Sequence, residues 1–225
     1  MARVLMLKVQ MDYKLIMKTK FILFDFDGVI VDSFQIAFEV KKMMCPNVTV
    51  EEQRKIFEGN INDVKVDPIK HDEKCRHDIK FFEEYNPRMR NSAVMIPGID
   101  EIIKELSKEY SMIIISSSMS DMIVDLLKGY KIDQYFIEIM GNDVHASKVE
   151  KIRMVFSKYN TDAEHCVFVT DTLGDIREAN VLNVKSIGVS WGFHEKERLE
   201  IGNPFKIIYK PGELLRVIND AFSSK

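Results

Sequence analysis

The chain has 225 residues, of which 46% are hydrophobic and 30% charged, and its formal net charge is -3 at pH 7. That length holds one domain with a substantial insertion, or two small ones, and the composition excludes a disordered chain. The absence of a long basic run excludes a nucleic-acid footprint, and no apolar stretch approaches the length of a membrane span.

In chain order, the stretch MARVLMLKVQMDYKLIM comes first. It is mildly apolar, but Lys8, Gln10, Asp12 and Lys14 interrupt it too often for a signal-peptide core. The folded unit is expected to begin near Met17, leaving residues 1–16 as an N-terminal extension. Short apolar runs then recur at Phe21–Phe24, Met112–Ile115, Phe136–Met140, Cys166–Val169, Ser186–Val189 and Lys206–Ile208. Helical patterns follow or separate them at Ile99–Lys108, Asp121–Lys128, Lys148–Tyr159, Ile176–Leu182 and Gly212–Phe222. Continuous apolar strands alternating with amphipathic helices predict an α/β fold, a Rossmann-like parallel sheet with helices on both faces.

One stretch breaks this rhythm. From Ser33 to about Ala93 there is no convincing strand. SFQIAFEVKKMM, TVEEQRKIFEG and IKHDEKCRHDIKFFEEY read as helices, with Asn86-Pro87 closing the last of them. The expected organisation is a core of residues 17–33 and 94–225, interrupted by an all-helical insert over residues 34–93.

Ligands of a parallel α/β sheet bind beyond the carboxyl ends of its strands. Asp25 and Asp27 follow the first run, Ser116, Ser117 and Ser118 the second, and Thr170, Asp171 and then Asp175 the fourth. The loop GNDVHAS leads from the third run to Lys148 at a helix start. Four carboxylates cannot share one place as bare anions. Hard oxygen ligands suit Mg²⁺, while serine hydroxyls and backbone N–H groups can cradle phosphate. The inventory is that of phosphoryl transfer.

DFDGVIVDS, IIISSS, Lys148 and VTDTLGD, in this order and spacing, resemble the four motifs of the haloacid dehalogenase superfamily. The likeness runs from about Lys20 to the C-terminus. The segment from Ser33 to Ala93 matches that family's helical cap, and SIGVSWGFHEKERLE with YKPGELLRVI is similar to phosphoglycolate-phosphatase-like members. The resemblance implies a Mg²⁺-dependent phosphatase acting on a small phosphorylated metabolite. Asp25 would be the nucleophile and Asp27 the general acid and base. Asp25, the Asp27 carbonyl and Asp171 would hold Mg²⁺, with Asp175 helping. Ser116, with the backbone near Ser117, and Lys148 would hold the phosphoryl group.

The chain departs from the family in two places. Thr170 stands where many relatives have glycine, and Val149 follows Lys148 where proline is common. Lys151 competes for the role of Lys148. A sugar-phosphate mutase and a binding protein without turnover are the alternative functions.

Other features fit ordinary structural roles. Cys45, Cys75 and Cys166 form no CxxC pair, which argues against a disulfide framework and fits a reducing compartment, the cytoplasm. His71, Cys75 and His77 suggest a metal, but no fourth ligand is evident and a solvated helix face is expected. His145, His165 and His194 read as loop or surface residues, and Phe81, Phe82 and Tyr85 as cap packing. Trp191-Gly192-Phe193 reads as packing or as a rim. Arg76, Lys74, Arg88 and Arg90 could read an anionic tail, with solvated surface as the default.

Overall fold

The structure is a computed structural model that describes residues 18–61, 69 and 71–224. The expected N-terminal extension lies outside the described residues. Strand β1 (Phe21–Phe24) is followed by a tight turn in which the Phe26 carbonyl accepts the N–H groups of Ile30 and Val31. A two-residue strand β2 (Val31–Asp32) pairs antiparallel with β3 (Val94–Met95). Between β2 and β3 lie helices α1 (Phe34–Met44), α2 (Val50–Ile56) and α3 (Phe81–Ser92). After β3 come α4 (Ile99–Leu106), β4 (Ser111–Ile115), α5 (Ser120–Tyr130), β5 (Phe136–Met140) and α6 (Lys148–Tyr159). The chain continues through β6 (Cys166–Thr170), α7 (Leu173–Val181), β7 (Lys185–Val189), α8 (Lys196–Glu200), β8 (Lys206–Ile208) and α9 (Leu214–Ser223).

Six strands form one parallel sheet in the order β5-β4-β1-β6-β7-β8. The α/β expectation is met. Each strand of the sheet's centre reads as a continuous apolar run because helices cover both faces. Ile22 and Phe24 pack with α4, α5 and α9, whereas Phe21 and Leu23 pack with α6 and α7. Ile22, Leu23 and Phe24 are fully buried, each contributing roughly 1.5–3 kcal/mol. With β1 at the sheet's centre, its C-terminal end, and Asp25 with it, lies between the ends of β4 and β6.

Three local expectations are corrected. Residues 71–80 form turns, not a helix, and α3 starts only at Phe81. Pro87 sits inside α3 rather than closing it. It forfeits the bond to the Glu83 carbonyl, but both residues are exposed, so water can serve that carbonyl. Cys45 and Cys75 form a disulfide, against the sequence expectation. That pairing spans 30 residues, so no short spacing could announce it.

Candidate active site

The acids sit where the central strands end. Gly28, at φ +71°, turns the chain sharply after Asp27. A Cβ there would lie 1.9 Å from Asp171 Oδ2, and one on Gly192 would lie 2.3 Å from the same atom. Two glycines therefore enclose the Asp171 carboxylate. The Phe193 N–H donates to its Oδ2 at 2.7 Å. Its Oδ1 is buried and has no partner among the described residues.

Lys148 Nζ stands 2.8 Å from Asp25 Oδ2 and 2.6 Å from Asp175 Oδ2, and all three side chains are buried. Lys148 opens α6. Its backbone N–H donates to Glu178 Oε1 at 3.0 Å, and Ser147 Oγ donates to the same oxygen at 3.3 Å. Glu178, on α7, thus fixes the helix end that carries the lysine. Thr170 Oγ1 donates to Asp175 Oδ2 at 2.7 Å. The threonine that departs from the family pattern therefore positions an acid. Lys151 is also buried, but its Nζ donates to the Ser116 carbonyl at 2.5 Å and leaves the acids to Lys148.

Asp27 faces another way. Its Oδ1 accepts from the Tyr85 hydroxyl at 2.5 Å, and its Oδ2 from Ser118 Oγ at 2.6 Å and Ser116 Oγ at 3.4 Å. Ser116 Oγ in turn accepts the Ser118 N–H at 3.0 Å. Ser117 is half-buried and lines the cavity.

The electrostatics follow from one lysine among three buried acids. Burial pushes the Asp25 carboxyl well up, and Lys148 only partly opposes this against the nearby Asp175 and Asp171. Burial raises Asp171 to about 8, despite the Phe193 N–H. Burial also acts on Asp175, but Lys148 outweighs it and holds that carboxyl below its usual value. Burial would lower Lys148, yet Asp175 and Asp25 hold it above the usual lysine value. One acid keeps its charge on the lysine while two are driven toward neutrality, so the cluster lacks positive charge. An orphaned carboxylate oxygen and an all-oxygen donor set from Asp25, Asp171 and Asp175 fit Mg²⁺.

The inserted helices cover this end of the sheet. The Gly174 N–H donates to the Phe57 carbonyl at 2.8 Å, and Arg177 Nη1 to the Glu58 carbonyl at 2.5 Å. Arg198 pairs with Glu51 and Glu58. Beside Asp27 a cavity of about 200 Å³ is lined by Lys41, Gln53, Phe81, Phe82, Tyr85 and Phe193, among others. Gln53 is fully buried, and neither of its side-chain polar atoms has a partner among the described residues.

Several expected residues come together here: Asp25, Asp27, Ser116, Ser117, Lys148, Asp171 and Asp175. None of the basic candidates for an anionic tail lines the site, and Lys74 is exposed. Arg76 pairs with Asp78, Arg88 with Glu84, and Arg90 with Asp121 and Asp125. His194 is fully buried, not on the surface. Its Nδ1 lies 2.9 Å from the Leu173 N, and its Nε2 lies 2.9 Å from the Arg54 carbonyl oxygen. It therefore joins the core to the insert. Tyr85, Ser118, Glu178 and Gly192 were not assigned to the site from sequence. Ser118, as part of the serine run after β4, and Gly192, within the rim candidate Trp191-Gly192-Phe193, carry a signal.

Comparison with known proteins identifies the family and the fold. The family model of haloacid dehalogenase-like hydrolases matches residues 22–189. A pyrophosphatase PpaX of Listeria monocytogenes is 28% identical over 88% of this chain and 96% of its own. A phosphoglycolate phosphatase of Pseudomonas fluorescens is 24% identical over 84% of this chain and 76% of its own. A crystal structure of a predicted phosphatase from Clostridium acetobutylicum superposes with a TM-score of 0.74 at 20% identity, covering 90% of this chain and 99% of that one. Among the described residues no helix is long and apolar enough to cross a membrane. With the match spanning β1 to β7 and all four groups of acids, serines and lysine inside it, the chain belongs to the haloacid dehalogenase-like hydrolase family.

Proposed function

We propose that the chain is a Mg²⁺-dependent phosphatase that hydrolyses a small organic phosphomonoester through an aspartyl-phosphate on Asp25. The observation that carries this reading is Lys148 Nζ held between Asp25 and Asp175, beside the unpartnered Oδ1 of Asp171. That set makes one carboxylate a nucleophile and leaves the others to gather positive charge.

In the first step an Asp25 carboxylate oxygen attacks phosphorus and the bond to the leaving oxygen breaks. Asp27 gives that oxygen its proton. In the second step Asp27 takes a proton from water, the water oxygen attacks phosphorus, and the Asp25–phosphorus bond breaks to release inorganic phosphate. General acid–base help of this kind typically supplies about 10²–10⁴-fold. Tyr85 and Ser118 aim the Asp27 carboxylate, and Lys148 balances charge on Asp25 and on the phosphoryl oxygens. Ser116 and the backbone at Ser117 bind those oxygens. Bound Mg²⁺, held by Asp25, Asp171, Asp175 and the Asp27 carbonyl, would neutralise the acids and the transferring group.

The insert acts as the cap. Its contacts with Gly174, Arg177 and Arg198 exclude bulk water, which would otherwise compete with the intended nucleophile. A cavity of about 200 Å³ admits only a small leaving group. Lys41 at its wall and the Gln53 amide, unpartnered among the described residues, select a group that is polar or anionic. Pyrophosphate and 2-phosphoglycolate, the substrates that the relatives' names suggest, meet both conditions. A panel of phosphomonoesters including 2-phosphoglycolate, with pyrophosphate alongside, assayed with and without Mg²⁺, tests the reading. Mg²⁺-dependent release of phosphate from a small member supports it, and no release from any member overturns it.

A further inference from the structure

Cys45 follows the last residue of α1, and the loop over residues 71–78 folds back onto that end. The Arg76 N–H donates to the Met44 carbonyl at 2.6 Å, and Asn47 Nδ2 to Asp72 Oδ2 at 2.8 Å. These contacts carry Cys75 to Cys45 and set His71 Nδ1 3.3 Å from Cys45 Sγ. Ligand atoms of Cys45, His71 and Cys75 all lie within 4.8 Å of one another. The His77 ring stands 5.5 Å from the His71 ring. The fourth ligand that the motif around His71, Cys75 and His77 lacked in sequence is Cys45, brought in from another element.

A disulfide uses two of these four side chains, and His71 Nδ1 stands against one of its sulfurs. Two thiolates and two imidazoles are the borderline-soft donor set of a tetrahedral Zn²⁺ site. The spacing of His71 from Cys45 and from His77 agrees with that geometry, while the two sulfurs part on reduction. Bonds of ~2.3 Å to sulfur and ~2.0 Å to nitrogen, at the tetrahedral angle, separate sulfur from nitrogen by about 3.5 Å and two imidazole centres by about 5 Å. The loop also needs a fastening. Residues 71–80 carry no helix or strand and are mostly exposed, above a small cluster of Phe38, Cys45, Val48 and Ile69. So little apolar burial rarely orders a loop without a covalent or metal staple.

We propose that, once the Cys45–Cys75 disulfide is reduced, Cys45, His71, Cys75 and His77 bind one Zn²⁺ that fastens this loop to the end of α1. A dithiol reductant supplies two electrons and two protons and leaves as its own disulfide, which frees both thiols. Zn²⁺ then replaces the two thiol protons, which pass to solvent, and each thiolate donates an electron pair to the metal. The site is structural and separate from the acids at Asp25. It ties together α1, which carries Lys41, and the approach to α3, which carries Phe81, Phe82 and Tyr85. The metal would thereby hold two walls of the cavity beside Asp27.

The full chain, reduced anaerobically with a phosphine and stripped of metal, is titrated with Co²⁺ and then Zn²⁺. The expected result is one Co²⁺ per chain with a thiolate-to-cobalt charge-transfer band and strong tetrahedral visible bands, all displaced by Zn²⁺. The oxygen-only acids cannot produce that charge-transfer band. Cys45→Ser and Cys75→Ser abolish it, and His77→Ala weakens Zn²⁺ binding at least tenfold. Reduced wild-type protein without these bands overturns the proposal, as does a Cys45→Ser variant that keeps them or a His77→Ala variant that binds Zn²⁺ undiminished. The wild-type titration decides by itself if a variant fails to fold.

Discussion

The Tyr85 hydroxyl donates to Asp27 Oδ1 at 2.5 Å, across the boundary between the inserted helices and the sheet. Tyr85 is almost fully buried, and burial, with the Asp27 charge beside it, holds its hydroxyl protonated far above the usual tyrosine range. It is therefore a permanent donor. Docking of the insert and aiming of the proposed proton carrier are one event. Tyr85→Phe should keep the fold and lower kcat about 10-fold, whereas Asp27→Ala should lower it by about 10²–10⁴-fold. Steady-state kinetics on both variants check this. An unchanged kcat in Tyr85→Phe would remove the tyrosine from the mechanism.

Lys148 gives a sharper prediction, because it is buried between two acids. Removing one partner of a buried ion pair costs about 3–5 kcal/mol, since the other charge is left uncompensated. Lys148→Ala should therefore lose both turnover and thermal stability, and Lys148→Met should recover neither. Thermal melts and phosphate-release assays measure the two effects. A stable, fully active Lys148→Ala variant would show that the ion pairs are incidental.

Gly192 tests the metal ligand set indirectly. A Cβ at this position would meet Asp171 Oδ2 at 2.3 Å and its Cβ at 2.4 Å, so the carboxylate must move. Gly192→Ala should raise the Mg²⁺ concentration that half-saturates turnover by about 10-fold or more, as losses around a metal site commonly do. Chelation should abolish turnover in the wild type, and added Mg²⁺ should restore it. Activity that survives exhaustive chelation would contradict the metal's role.

His194 predicts a pH dependence of stability. Burial lowers its folded-state pKa to about 4 from the ordinary value of 6.5. The unfolded chain therefore binds a proton that the folded chain refuses when the pH lies between those values. The stability contribution is whole above about pH 6.5 and is lost as pH falls toward 4. A shift of this size corresponds to roughly 3 kcal/mol. Denaturant unfolding at pH 7 and pH 5, with His194→Gln as the control, reads it. The difference between the two pH values should shrink in the variant.

The sheet was legible because fully buried parallel strands must be apolar throughout, and the acids were legible because Asp25 and Asp171 directly follow such strands, with Asp27 and Asp175 a few residues further on. Lys148 and Lys151 could not be separated by spacing, as both lie on the first turn of one helix. Only the direction of each side chain places Lys148 on the acids and Lys151 on the Ser116 carbonyl. Tyr85 was opaque for a related reason. An aromatic residue on an amphipathic helix packs by default, and its hydroxyl gains meaning only when the insert docks. The cysteine pair shows the same limit, because Cys45 and Cys75 meet through a loop fold that no short motif encodes.

The central claim is that Asp25 carries the phosphoryl group. Acid quench during turnover of the best substrate of the panel, followed by borohydride reduction and peptide mapping, tests it most directly. An acyl phosphate at Asp25 should be reduced to homoserine at position 25, and Asp25→Asn should be inactive with its fold intact. Turnover at the wild-type rate by a sequence-verified Asp25→Asn variant, or homoserine at another acid with Asp25 untouched, would contradict the mechanism.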